Sequence, residues 1–164
     1  MKIQEAYVTY QVGMLLKRVG FDEWCRLCYT TAIRHNGKDL SFDEELDLKG
    51  EGRANEIELT PGGWCEQHNN RNSEDFMSSN QDCCSCPSLQ VAVAWVEHYF
   101  KVYVMPFPQP NGWKVALVYT DNPHPKDGRF ALTELDDVFK SHVDAGNYGL
   151  KWFLERLQPK IEKV

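Results

Sequence analysis

The sequence lacks the features that mark several large classes of protein. No apolar run approaches the roughly 20 residues that span a bilayer. The start of the chain has one lysine but no apolar stretch behind it of the kind that signal peptides carry. Basic residues are fewer than acidic ones, 18 against 24 among 164 residues, so the formal net charge is −6. We therefore expect a cytoplasmic protein with no membrane partner.

The acidic charge is concentrated in one segment, residues 39–60. This segment holds eight acids and two bases, a difference of six that equals the net charge of the whole chain. A nucleic-acid-binding domain needs a basic face from which counterions are released, so we expect no nucleic-acid partner. The segment is predicted to be a solvated face, and its functional alternative is a docking strip for a basic region of a protein partner.

The hydrophobic periodicity predicts three helices and several short strands. The first helix starts after Thr9 and stops at Gly20, with Phe21 placed to pack against Leu16. The other two helices are predicted over residues 88–100 and 141–158. Strands are predicted over residues 25–33, 102–105, 113–120 and 129–135, and short edge strands over 46–48 and 57–59. The proline-rich residues 106–112 are predicted to form a turn.

These elements predict a single α+β domain over residues 1–164. We expect a small, mostly antiparallel sheet with about three helices packed on one face. Residues 61–87 are rich in glycine, asparagine and serine, which predicts a long polar loop between the acidic segment and the second helix. Gly146 and Gly149 each cost the last helix about 1 kcal/mol relative to alanine. A close approach of that helix to the sheet or to another helix is the expected reason.

Three stretches of the chain resemble a family of small uncharacterised proteins from gut Bacteroidetes and their phages and mobile elements. The first is Tyr7-Val8-Thr9-Tyr10 with Leu15-Leu16-Lys17 and Gly20-Phe21, the second is Cys86-Pro87-Ser88-Leu89-Gln90 with Ala92 and Trp95, and the third runs from Tyr148-Gly149-Leu150-Lys151 to Leu157. In that family a Pro-Thr/Ser-Leu-Gln segment opens a helix that ends in a sequence like Trp-Leu-Arg-Glu. Here the helix continues as Trp95-Val96-Glu97-His98, which departs at the charged positions. The family has no established activity, and its motifs do not include a cysteine cluster.

The six cysteines contain the most suggestive spacing for chemistry. Cys65, His68, Cys83 and Cys86 give the pattern C-x2-H-x14-C-x2-C, with Cys84 as an alternative fourth ligand. Pairs of this spacing are typical of tetrahedral zinc sites. All lie in the polar loop, which has few large apolar side chains to order it. Binding of a zinc ion would supply the free energy that orders the loop. The alternative interpretation is that these cysteines are small buried residues.

Cys25 and Cys28 form a second C-x2-C pair. If both lie in a strand, their side chains point to opposite faces and cannot share a metal, unless the strand begins after Cys25. The chain has no recognisable catalytic motif, so we expect no enzymatic activity. The sequence thus predicts a non-enzymatic cytoplasmic accessory or interaction protein of phage or mobile-element type. The alternatives are a zinc-stabilised binding module that uses Cys65, His68, Cys83 and Cys86, and a cysteine-dependent enzyme.

Overall fold

The computed structural model describes residues 5–35, 38–39, 54–61, 84–123, 126 and 128–157. Its helices are α1 (Tyr10–Val19), α2 (Leu89–Phe100) and α3 (His142–Arg156). Its strands are β1 (Leu27–His35), β2 (Lys38–Asp39), β3 (Ala54–Pro61), β4 (Cys84–Cys86), β5 (Val102–Gln109), β6 (Gly112–Pro123) and β7 (Phe130–Phe139). The predicted α+β class is confirmed, but the described strands form two antiparallel sheets instead of one.

Helix α1 begins and ends as its sequence predicts. The Thr9 hydroxyl accepts a hydrogen bond from the Val12 N–H and caps the first turn. At the other end Gly20 has a φ of 100°, and its N–H donates to the Lys17 carbonyl. The Phe21 N–H donates to the Leu16 carbonyl at 2.9 Å, which completes a Schellman motif. This ending turns the buried Phe21 side chain into the core.

The first sheet has the order β2-β1-β3, and β4 also pairs with β1. Strand β3 is longer than the predicted strand over residues 57–59, whereas the predicted strand over residues 46–48 lies outside the described residues. Strand β1 begins at Leu27, two residues later than predicted, so Cys25 precedes it. Strand β4 was not predicted. It places Cys86 opposite Leu27 and Cys84 opposite Tyr29, and this long-range pairing has no local sequence signal.

The second sheet has the order β5-β6-β7. The turn predicted over residues 106–112 is confirmed only at residues 110–111, because β5 continues through Pro106 and Pro108 to Gln109. The reason is the direction of the backbone groups. The Lys101 carbonyl accepts from the Thr120 N–H on β6, and backbone direction alternates along a strand. Pro106 and Pro108 therefore have their ring nitrogens on the edge away from β6, where no ladder bond is lost.

Helix α3 packs on the second sheet through its glycines, as predicted. A Cβ at Gly149 would meet Val115 Cγ2 at 2.6 Å and Val104 Cγ1 at 2.8 Å. A Cβ at Gly146 would meet Leu89 Cδ2 at 2.9 Å. The two glycines thus allow α3 to contact both the sheet and α2 more closely than side chains would permit.

The segment before α1 is held between α2 and α3. Tyr7 and Ser88 form an isolated antiparallel bridge, and the Leu89 N–H donates to the Ala6 carbonyl at 2.8 Å. From the other side the buried Asn147 accepts a hydrogen bond from the Thr9 N–H at 2.8 Å. Among the helices described here, none combines the length and the apolar character needed to cross a membrane.

Candidate functional site

The structure places one of the four predicted zinc ligands. Cys86 lies in β4 with 1 % of its surface exposed, whereas Cys65, His68 and Cys83 lie outside the described residues. Cys86 shares the hydrophobic core with Cys25 and Cys28, and the alternative ligand Cys84 is also buried. Within the described residues, no group of three or more His, Cys, Asp or Glu side chains is arranged to hold a metal ion. The zinc site of the loop stays a prediction.

The pKa values of two buried thiols are shifted in the direction opposite to that of a nucleophilic cysteine. Burial, with a smaller contribution from the neighbouring Cys86, raises the pKa of the Cys25 thiol to about 12. Burial likewise raises the pKa of the Cys86 thiol to about 11. A catalytic cysteine needs a lowered pKa and partial exposure. Cys25 and Cys86 therefore stay protonated at neutral pH and serve as core residues.

We expect these thiols to make the protein sensitive to alkaline pH. In the unfolded chain a thiol loses its proton near pH 8.5, whereas folded Cys25 and Cys86 keep theirs up to about pH 12 and 11. Above pH 8.5 the unfolded state binds fewer protons than the folded state, so stability falls as the pH rises. The Tm should fall more steeply between pH 8 and 10 for the wild type than for the Cys25→Ala/Cys86→Ala variant. If the Tm falls equally steeply with pH for the two proteins, the raised pKa values of the Cys25 and Cys86 thiols are contradicted.

A groove of about 570 Å³ lies between α2 and β5 and is the second candidate site. One wall is a face of α2, and the other includes the start of β5; the N-terminal segment and His142 at the start of α3 complete it. Its lining is mixed: the apolar or aromatic residues are Ala6, Leu89, Val93, Ala94, Tyr103, Val104 and Pro106, and the polar ones are Glu5, Ser88, Gln90, Glu97 and His142. The size is typical of sites that hold a small ligand or a short peptide segment. We call it the α2–β5 groove.

The groove runs beside an unpaired strand edge. Strand β5 is an edge strand of its sheet. Its odd-numbered residues bond to β6, as the Lys101 carbonyl shows, so the N–H and C=O groups of Val102 and Val104 point away from β6. Pro106 and Pro108 offer carbonyls only on this edge. In the part of the chain that the structure describes, no strand pairs with this edge. Val102 and Val104 are only 3 % and 1 % exposed, so this part of the edge is covered although no described strand pairs with it.

The groove has acidic residues at its two ends. Glu5 adjoins the start of α2, and Glu97 lies in its last turn, eight residues beyond Leu89. The Tyr7 hydroxyl donates to the Glu5 carboxylate at 2.8 Å. None of the described residues that line the groove is a lysine or an arginine, and no described side chain forms an ion pair with Glu97. The lining therefore favours a ligand that is apolar in its middle and positively charged at its ends.

Sequence reasoning missed this groove for identifiable reasons. Adjacent residues of a helix point in different directions, and the structure accordingly places Glu97 in the groove and leaves His98 exposed beside it. The prolines of β5 are the signal that could have revealed an edge strand, because proline within a sheet is confined mainly to edges.

Comparison of the chain with protein-family models, curated proteins and solved structures gives no match.

Proposed function

We propose that this protein is a non-enzymatic interaction protein that binds an apolar, basic segment of a partner protein in the α2–β5 groove. The observation that carries the proposal is the groove of about 570 Å³ that combines apolar residues of α2 and β5 with the carboxylates of Glu5 and Glu97. The protonated state of buried Cys25 and Cys86 supports the non-enzymatic part, since neither thiol is suited to nucleophilic attack.

The resemblance to proteins of gut Bacteroidetes and their phages and mobile elements supports an accessory role in the cytoplasm of such a host. The acidic segment is a further docking strip in this proposal. Only Asp39 and residues 54–60 of it lie among the described residues, so the proposal rests on the groove and not on that segment.

Blocking the groove should abolish partner binding without unfolding the protein. Ala94 is exposed on α2 and lines the groove, and arginine is a good helix former, so Ala94→Arg should fill the groove with little cost to stability. Random dodecapeptides displayed on phage would be selected on the immobilised wild-type protein. We expect the enriched peptides to bind Ala94→Arg at least ~10-fold more weakly, a loss of about 1.4 kcal/mol.

Val91→Arg is the matched control for this experiment. Val91 is on the same helix and 44 % exposed, but it does not line the groove, and the variant adds the same charge. Its affinity for the selected peptides should remain within about two-fold of the wild type, because an isolated rim charge contributes little. Failure to enrich any peptide, or equal affinities for all three proteins, would overturn the proposal.

A further inference from the structure

We infer that two copies of this protein associate by pairing their β7 strands, antiparallel and centred on Leu132, so that the two β5-β6-β7 sheets become one continuous sheet. The association goes beyond the proposed function, because the α2–β5 groove lies beside β5 at the opposite edge of the sheet. Among the described strands, none pairs with the outer edge of β7. Most residues of β7 are exposed, Leu132 by 58 %. A long exposed edge with apolar residues is a template for a strand of another chain.

The backbone groups of Leu132 point to this free edge. The Thr120 N–H donates to the Lys101 carbonyl, so the even-numbered residues of β6 bond to β5. Val118 is one of these residues, and it lies opposite Leu132 of β7. The N–H and C=O of Leu132 therefore point away from β6. In the symmetric pair, the Leu132 N–H of each copy donates to the Leu132 carbonyl of the other.

An apolar row crosses the outer face of the sheet and ends at this edge. Tyr103, Val118 and Leu132 lie directly opposite one another on β5, β6 and β7. The side chains of Val104 and Val115 approach α3, so the row lies on the other face of the sheet. A two-fold axis at Leu132 continues the row into the second copy, where the two leucine side chains cover each other. This self-complementarity favours a second copy as the partner.

The charges of β7 select the register. Its acidic residues are Glu134, Asp136 and Asp137, all in the second half of the strand. A pair centred on Glu134 or on an aspartate would place two carboxylates directly opposite each other, which destabilises a sheet. A pair centred on Leu132 overlaps only residues 130–134, because β7 begins at residue 130, and both aspartates lie beyond the overlap. Glu134 lies inside it, and its carboxylate forms an ion pair with Lys114 at 3.4 Å.

Sedimentation velocity of the full chain tests this association. A short edge pair buries little surface, so we expect a Kd in the micromolar range and measure from about 1 μM to about 1 mM protein. The wild type should change from monomer to dimer over this range. Leu132→Lys should weaken dimerisation at least ~10-fold, because two like charges meet at the axis.

Val138→Lys is the matched control for the sedimentation experiment. Val138 is on the same strand and 42 % exposed, but it lies outside the overlap, and the variant adds the same charge. Its dimer Kd should stay within about two-fold of the wild type, because an exposed charge outside the interface contributes little.

Amide hydrogen exchange locates the interface in the wild type. As the protein concentration rises over the same range, exchange at the Leu132 amide should slow at least ~5-fold, because only the monomer leaves that amide open to solvent. Exchange at the Thr133 amide, which points to β6, should stay unchanged. Three outcomes overturn the inference: a wild type that is monomeric over the whole range, equal dimerisation of the two lysine variants, or a dimer that leaves the Leu132 amide unprotected.

Discussion

Replacing Phe21 with alanine should lower the free energy of unfolding by about 3–5 kcal/mol, the range typical of deleting a fully buried aromatic side chain. Phe21 has none of its surface exposed and packs edge-on against Trp95 at a ring-centroid distance of 5.2 Å. It therefore joins the end of α1 to the buried side of α2. The loss combines the transfer free energy of the ring with the cavity that remains, because the surrounding helices can close it only in part.

Urea unfolding of wild type, Phe21→Ala and Phe21→Leu would measure this effect. The leucine variant keeps most of the buried volume and should lose clearly less stability, since its cavity is smaller. The backbone bond from the Phe21 N–H to the Leu16 carbonyl is available in all three proteins, so the comparison isolates side-chain packing. An alanine variant that loses less than about 1 kcal/mol would show that Phe21 is not a core residue.

Replacing Asn147 with alanine should cost about 2–3 kcal/mol, because it leaves buried polar groups without partners. The Asn147 Oδ1 accepts from the Thr9 N–H at 2.8 Å. Its Nδ2 donates to the carbonyls of Tyr7 at 3.3 Å and Val143 at 3.1 Å. A single side chain thus fastens the segment before α1 to α3, and that segment supplies the Glu5 end of the groove.

Ser141→Ala is the control for the Asn147 prediction. Ser141 caps α3 by accepting a hydrogen bond from the Asp144 N–H, a local contact whose loss costs about 1 kcal/mol. Thermal or urea unfolding should therefore show a larger loss for Asn147→Ala than for Ser141→Ala. If the two variants are equally stable, the bonds to Tyr7 and Thr9 contribute nothing beyond a helix cap.

The sequence predicts those parts of the fold that local chemistry determines. Thr9 and Gly20 mark the ends of α1 because a cap hydroxyl and a left-handed glycine satisfy backbone groups within a few residues of themselves. Gly149 is predicted to allow a close approach because a glycine inside a helix is costly unless packing offsets it. In each case the sequence signal is the position of the residue within its own helix.

The parts that were missed depend on partners distant in sequence. Pro106 and Pro108 suggest a turn when taken alone, and they fit a strand only because β6 bonds to the alternate residues of β5. The spacing of Cys86 predicts a zinc ligand in a loop. In the structure Cys86 is buried instead, because β4 pairs with β1, nearly 60 residues away. The groove itself exists only after α2 and β5 have packed, so no local pattern predicts it.

The position of a selected peptide on the protein tests the central claim most directly. Backbone amide shifts recorded during a titration with the highest-affinity library peptide should change most at Val93, Ala94 and Val104, which line the α2–β5 groove. The outer face of the second sheet also exposes apolar residues, among them Met105 and Leu132. The account predicts shift changes centred on the groove, and changes centred on Leu132 and the outer sheet face would contradict it.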